Sequence, residues 1–100
     1  FVLPSFYEGY GMVLAEALAR GLPIVSTTAG AIPDTVPAGA GLLVPPGADA
    51  VLAAALSRVL TEPEYRQQLA AGARAARGAL PDWPSACARF AAALAAMPAR

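Results

Sequence analysis

Short apolar runs alternate with helical periods along the first half of the chain. Residues 1–3, 23–27 and 41–44 are apolar runs too short for helices, each followed by residues typical of turns, so we predict strands there. Apolar residues at helical spacing predict a helix over 11–20 and a short helical piece near 32–36. This alternation predicts an α/β fold in which helices cover a parallel sheet.

The second half of the chain has only helical patterns. We predict helices over 51–60, 64–79 and 85–97, separated by proline-containing breaks. Asp49 stands where it can cap the first of these helices, and Pro63 falls in the first turn of the second. We expect the solvent side of the second helix to carry three arginines, Arg66, Arg74 and Arg77.

The predicted topology places a candidate site at one edge of the sheet. Right-handed crossovers bring the carboxyl ends of parallel strands together, so the site should be built from residues 4–12 and 28–32. Gly9 and Gly11 come just before a helix, whose unpaired N–H groups and positive dipole end favour an anion such as a diphosphate. A tight turn with positive φ explains the same glycines. The full G-x-G-x-x-G fingerprint is not met, because Leu14 occupies the third glycine position.

Glu16 is a second candidate, because it is the only polar residue from Met12 to Ala19. A helix this apolar should be nearly enclosed, and a buried carboxylate needs a partner. That partner is either Arg20, four residues later, or the hydroxyls of a ligand with a vicinal diol, such as ribose. Glu8, in the loop before the helix, would face the same cleft.

Composition narrows the function classes further. Seven arginines balance seven acidic residues, so nothing indicates a nucleic acid or an anionic membrane as a partner. Lysine and histidine are absent, which excludes a Walker A lysine, a histidine base and a histidine-containing metal site. The single cysteine, Cys87, suits packing better than nucleophilic catalysis, since no base could activate it.

The start of the chain and its cysteine usage suggest its context. The sequence opens within an apolar run and without methionine, so we expect it to be part of a longer protein. One cysteine cannot form an internal disulfide, which suits a reducing compartment. No signal peptide and no apolar run of about 20 residues is present, and we expect a cytoplasmic protein.

The motifs in the first 60 residues resemble a known enzyme family. Seven residues separate Glu8 from Glu16, and this E-x7-E arrangement is similar to that of the retaining GT-B glycosyltransferases, especially glycosyltransferase family 4 (group 1). Three further motifs follow in the order found in that family: G-x-P-hydrophobic-V at 21–25, G-x-I-P at 30–33 and G-L-L-V-P-P-G at 41–47. The chain departs from the family pattern in three places, with Ala31 in place of a glycine, Asp34 in place of a glutamate, and P-A-G-A at 37–40 in place of the usual D-G-x-T lead-in to Gly41.

The resemblance implies a role for each matching residue in binding a nucleotide-sugar donor. Glu8 would act in catalysis and contact the donor sugar, together with Gly9, Tyr10 and Gly11. The backbone amides of Met12 and Val13 would bind the diphosphate. Glu16 would hold the ribose. The resemblance implies no metal ion and no cofactor beyond the donor substrate itself.

The resemblance also implies a domain organisation and a reaction. Residues 1–80 would be the C-terminal part of a Rossmann-like nucleotide-sugar-binding domain, and 81–100 a C-terminal helix of crossover type. Trp83 in that last segment would return toward an N-terminal acceptor domain, or would simply anchor its own helix in the core. The parent would transfer a glycosyl group to an acceptor hydroxyl with retention, and we expect this chain alone not to turn over. A sugar-nucleotide epimerase, a phosphorylase and a non-catalytic interaction module stay open as alternatives.

Overall fold

In the described part of the chain, three parallel strands form a sheet. The structure, a computed structural model, describes residues 1–7, 9, 11–80 and 82–98. The strands are β1 (Val2–Leu3), β2 (Ile24–Thr27) and β3 (Gly41–Val44), in the order β1-β2-β3. In the register, Leu3 pairs with Ser26, and Thr27 pairs with Val44. The predicted α/β class with a parallel sheet is confirmed.

Five helices accompany the sheet in the described part of the chain. They are α1 (Met12–Ala19), α2 (Ile32–Thr35), α3 (Asp49–Thr61), α4 (Pro63–Arg77) and α5 (Trp83–Ala95). The expected capping role of Asp49 is wrong, because the helix already begins at this residue and Ala48 occupies the cap position without a side-chain bond. The last helix begins two residues before the predicted start, since Asp82 caps it by accepting a hydrogen bond from the Ser85 amide at 2.7 Å.

The core lies on both faces of the sheet, because successive side chains of a strand point to opposite sides. On one face, Ile24 of β2 packs with residues of α1 and α2, of which Leu14, Leu18 and Ile32 are fully buried. On the other face, Val25 packs against α3. Helix α4 joins the two halves of the core, since its Ala73 belongs to the first cluster and its Leu69 to the second.

Helix α5 buries none of its described residues. Its Trp83 is 82% exposed, so the interpretation of this residue as a core anchor is wrong for this chain. The molecule measures 58 × 27 × 16 Å, and its radius of gyration is 16.2 Å, against about 13 Å for a compact chain of this size. The proposed division between residues 1–80 and 81–100 stays a prediction. Within the described residues, no helix has the length and apolar character required to cross a membrane.

Candidate functional site

The segments that follow the three strands meet at one edge of the sheet, as the parallel topology predicts. A narrow cleft of about 40 Å³ at this edge is lined by residues from all three segments, including Pro4 after β1, Thr27 at the end of β2 and Pro45 after β3. The ring of Phe6 lies so close to Gly47 that a Cβ there would be 3.1 Å from a ring carbon. Gly47 has φ 78°, which favours glycine at this turn.

Two buried hydroxyl groups at the end of β2 hold the first strand in place. Ser26 Oγ donates to the Leu3 carbonyl at 2.7 Å. Thr27 Oγ1 donates to the Ser5 carbonyl at 2.7 Å and accepts from the Ala29 amide at 3.2 Å. Neither residue was predicted from the sequence to be part of the site. Two adjacent polar residues at the end of an otherwise apolar buried strand were the available signal.

Helix α1 begins directly at this edge, with Gly11 as its cap residue at φ 72° and ψ 57°. The alternative explanation of Gly11 as a turn residue with positive φ is therefore confirmed, and it is compatible with anion binding. The first helical bonds come from the amides of Leu14 and Ala15, which both donate to the Gly11 carbonyl. The amides of Met12 and Val13 precede them in the first turn, where a helix has no internal acceptor to offer.

The exposed side of α1 carries the residues that the sequence analysis assigned to the donor. Only Leu14, Ala17 and Leu18 of this helix are buried. The side chains of Met12 and Glu16 are 76% and 65% exposed. The prediction that this helix is nearly enclosed is therefore wrong, because α1 contributes only one face to the core.

Glu16 and Arg20 form the ion pair that was one of the two alternatives. The carboxylate Oε1 lies 3.5 Å from the Arg20 guanidinium, and the arginine side chain is 70% exposed. An ion pair this exposed contributes at most about 1 kcal/mol, so it does not hold the carboxylate away from a ligand. Both alternatives for Glu16, the ion pair and a ligand contact, are compatible with the structure.

The remaining predicted site residues, Glu8, Gly9 and Tyr10, precede α1 in the sequence. Gly9 is exposed, and a Cβ built on it would meet no atom within 4 Å. Glu8 and Tyr10 lie outside the described residues, so their assigned roles are not tested by the structure. The described residues of the site thus lie in the loop and the first turns of α1, where an elongated polar ligand can follow the helix axis.

The turn after β2 explains why one departure from the family pattern is tolerated. Gly30 takes φ 52°, a left-handed conformation that favours glycine. Ala31, which replaces the second glycine, has φ −88° and ψ 4°, a conformation with negative φ that residues with a side chain adopt in turns. The backbone at residue 31 therefore does not require glycine.

Comparison with known proteins gives a consistent family match. The family model described as "Glycosyl transferases group 1" matches residues 1–76. The chain is 43% identical over 73 residues to a D-inositol 3-phosphate glycosyltransferase of Frankia alni, covering 72% of this chain and 18% of the relative. It is 38% identical over 90 residues to an MMP alpha-(1->4)-mannosyltransferase of Mycolicibacterium hassiacum, covering 87% of this chain and 22% of the relative.

A solved structure shows the same fold. The sucrose-phosphate synthase of Thermosynechococcus elongatus superposes with a TM-score of 0.83 at 35% identity, covering 93% of this chain and 24% of that protein. The chain thus spans less than a quarter of the length of these relatives. Their names are those of transferases and synthases, which gives no support to the epimerase or phosphorylase alternative.

Proposed function

The chain belongs to the glycosyl transferases group 1 family, and on that premise we propose that it forms the donor-binding part of a retaining GT-B glycosyltransferase of family 4. The donor would be a nucleoside diphosphate sugar. The rest of the parent protein would supply the acceptor-binding domain, and the chain alone would bind the donor without turnover. The observation that carries the proposal is the start of α1 at the carboxyl edge of the sheet, immediately after a glycine with positive φ.

The first turn of α1 is suited to the diphosphate. The amides of Met12 and Val13 precede the first internal bonds of the helix, and the positive end of the helix dipole adds to their attraction for an anion. Gly11 itself is buried, and a Cβ built on it would lie 3.0 Å from the Leu14 side chain, so its lack of a side chain serves the packing at the start of α1.

Glu16 is suited to the ribose. It comes four positions after Met12 in the helix, which corresponds to about 6 Å along the axis, a distance that a diphosphate and the adjoining ribose can span. Its carboxylate is exposed and can accept hydrogen bonds from both hydroxyls of a vicinal diol. Arg20 would orient the carboxylate while leaving one oxygen available to the ligand.

The loop before α1 would hold the transferred sugar. We propose that Glu8, Gly9, Tyr10 and Gly11 contact it, with Glu8 acting in catalysis. In the reaction, the acceptor hydroxyl oxygen bonds to the anomeric carbon as the bond to the diphosphate oxygen breaks. The bonding electrons pass to the phosphate oxygen of the departing nucleoside diphosphate, and that oxygen accepts the proton of the acceptor hydroxyl. The helix N-terminus would stabilise the charge that develops on that leaving group.

The remaining parts of the proposal concern partners and surroundings. No metal ion and no cofactor is proposed, and a net charge of zero gives no reason to expect nucleic acid as a ligand. Residues 1–80 would belong to the nucleotide-sugar-binding domain, and 81–100 to a crossover helix. A cytoplasmic location is proposed for the parent protein.

Ligand-observed NMR together with ¹H–¹⁵N spectra of the chain tests the proposal directly. The chain is titrated with UDP-glucose, GDP-mannose and ADP-glucose, in the wild type and in Glu16→Ala. We expect one nucleotide class to bind to the wild type, with amide shifts at Met12 and Val13. We expect Glu16→Ala to weaken binding about tenfold or more, since it removes charge-assisted hydrogen bonds.

Glu64→Ala is the matched control, because Glu64 is also an exposed helical glutamate but lies in the first turn of α4. It should bind the donor as the wild type does. Equal binding by wild type and Glu16→Ala would contradict the ribose assignment and leave the ion pair with Arg20 as the role of this residue. A folded chain that binds none of the three donors would contradict donor binding by this part of the protein.

A further inference from the structure

Thr27 occupies a position from which one side chain reaches two segments of the site. It is the last residue of β2, is 2% exposed and contacts no described residue of α1 by hydrogen bonding. Its hydroxyl donates to the Ser5 carbonyl and accepts from the Ala29 amide. A threonine hydroxyl has one proton to donate, so this group acts as a donor to Ser5 and as an acceptor from Ala29 at the same time.

Ser5 and Ala29 belong to different segments at the edge of the sheet. The paired register of β1 and β2 ends at Leu3 and Ser26, so the strand ladder no longer positions the chain at Ser5. Ala29 begins the turn that contains Gly30 and leads into α2. The Ala29 carbonyl accepts a hydrogen bond from the Ile32 amide at the start of that helix. The Thr27 hydroxyl is therefore a direct link between the loop that precedes α1 and the turn that follows β2.

The link is rigid as well as direct. A β-branched side chain has few accessible χ1 rotamers, and Thr27 is fully enclosed within the protein. Buried polar groups that lose their hydrogen bonds are strongly disfavoured, so both bonds should persist together. Any shift of the loop at Ser5 relative to the turn at Ala29 must then break at least one of them.

We propose that Thr27 is a positioning residue that holds residues 4–7, the start of the loop before α1, at a defined distance from the turn at 28–31. The role rests on the proposed function, because it matters to binding only if the donor lies between these two segments. Thr27 would touch no part of the donor. It would act by fixing the place at which the loop leaves β1 relative to Gly30, in the way that supporting hydrogen bonds fix the geometry of a binding site.

Three variants separate this role from a general contribution to folding. Thr27→Val keeps the shape and removes the hydroxyl, and Thr27→Ser keeps the hydroxyl and removes the methyl group. Ser26→Ala is the matched control, because Ser26 is fully buried, adjacent in sequence and bonded to Leu3 at the same 2.7 Å distance. The Ser26 hydroxyl bonds to Leu3, the last paired residue of β1, and it bonds to neither Ser5 nor Ala29.

The first readout needs no ligand. In amide hydrogen exchange and ¹H–¹⁵N shifts of the whole chain, Thr27→Val should speed exchange at Ala29 and shift the signals of Phe6 and Gly30. Thr27→Ser should restore both to wild-type values, and Ser26→Ala should leave both near them. Unchanged signals in folded Thr27→Val, or equal changes in Ser26→Ala, would overturn the proposal.

The second readout uses the donor that gives the strongest wild-type signal among UDP-glucose, GDP-mannose and ADP-glucose. Thr27→Val should raise its dissociation constant about tenfold, and Thr27→Ser should bind close to wild type. Wild-type affinity in Thr27→Val, or a loss that serine does not rescue, would overturn the role in binding. If the wild type binds no donor, the proposed function fails, and the exchange data still decide whether Thr27 couples the two segments. If Thr27→Val does not fold, the comparison of Thr27→Ser with Ser26→Ala tests the proposal instead. Thr27→Ser must then keep the Ala29 amide protected from hydrogen exchange as it is in the wild type.

Discussion

Helices α4 and α5 are of similar length, and both begin with proline in the first turn, yet only α4 is integrated into the fold. Helix α4 is rich in charged and amide side chains and still inserts Leu69 and Ala73 into the core. Helix α5 carries larger apolar side chains, and all of its described residues stay outside the core. Apolar content therefore does not decide which helix is buried in this chain.

The difference lies in the fit of α4 to its neighbours. Gly72 lies against the Gly39 carbonyl, closer than any side chain would allow, so the helix can pack tightly on the loop before β3. Arg66 donates to the Val59 and Leu60 carbonyls at the end of α3, and Arg77 donates to the Ala19 carbonyl at the end of α1. The expectation that Arg66 faces solvent is therefore only partly right, since this residue is half-buried.

The largest effect that separates the two helices should come from truncating one apolar side chain in each. Leu69 is 3% exposed and Phe90 is 68% exposed. Leu69→Ala should lower the free energy of unfolding by about 3 kcal/mol, because it removes buried methyl groups and leaves a cavity. Phe90→Ala should change it by less than about 0.5 kcal/mol, as for most exposed positions. Urea denaturation followed by circular dichroism measures both, and similar losses in the two variants would show that α5 also packs in solution.

A somewhat smaller loss should follow from adding a single methyl group to α4. Gly72→Ala places a Cβ against the Gly39 carbonyl and the Ala40 amide, and the backbone of that loop cannot move aside as a side chain could. We expect the free energy of unfolding to fall by about 2 kcal/mol, more than the helix-propensity gain of about 1 kcal/mol can offset.

Gly78→Ala is the control for that change, because its Cβ would meet its nearest atom at 3.9 Å and its φ of −65° suits alanine. It should stabilise the chain slightly, by about 0.5 kcal/mol, through the unfolded state. A stable Gly72→Ala variant, with a melting curve like that of Gly78→Ala, would mean that α4 does not depend on close contact with the 39–40 loop.

The smallest effect concerns the cap of α5. The backbone hydrogen bond from Ser85 lowers the pKa of Asp82 below its ordinary value of 3.8. A carboxyl whose folded-state pKa is lowered stabilises the helix above its unfolded pKa, and this contribution is lost as the pH falls through the folded value. Below about pH 4, NMR secondary shifts should therefore report fraying at Trp83 and Ser85, with the core signals unchanged.

Asp82→Asn tests the origin of that pH dependence. Asparagine also caps helices but does not titrate in this range, so the fraying below about pH 4 should disappear while the helix start is kept. If the variant shows the same pH dependence as the wild type, another group controls the start of α5.

Much of the fold could be predicted from local patterns. The predicted bounds of β3, 41–44, are the observed ones. The observed β2 begins one residue later than predicted, because Pro23 has no amide proton to donate within a sheet. The helices were found by their apolar periods, and only their ends moved. The start of α5 moved to Trp83, since a proline is well tolerated in the first turn of a helix.

The candidate site was predicted less completely. The glycine before α1 and the isolated Glu16 were visible in the sequence, since both stand out from their immediate neighbours. The expectation that Glu16 is buried was wrong, because a run of apolar residues along the chain does not show which of them pack against another element. The Thr27 links were missed, because Ser5 and Ala29 come within reach of this hydroxyl only when β1 lies beside β2.

The sequence by itself determined the strands, the helices, the parallel α/β class and the motifs that relate this chain to group 1 glycosyl transferases. Those features depend on side chains that are near one another along the chain, where propensity and periodicity act. The tertiary structure alone decided that α4 is packed and α5 is not, that one side of α1 is exposed, and that one threonine joins two segments of the site. Each of these depends on contacts between residues far apart in sequence, and such contacts exist only once the elements have packed.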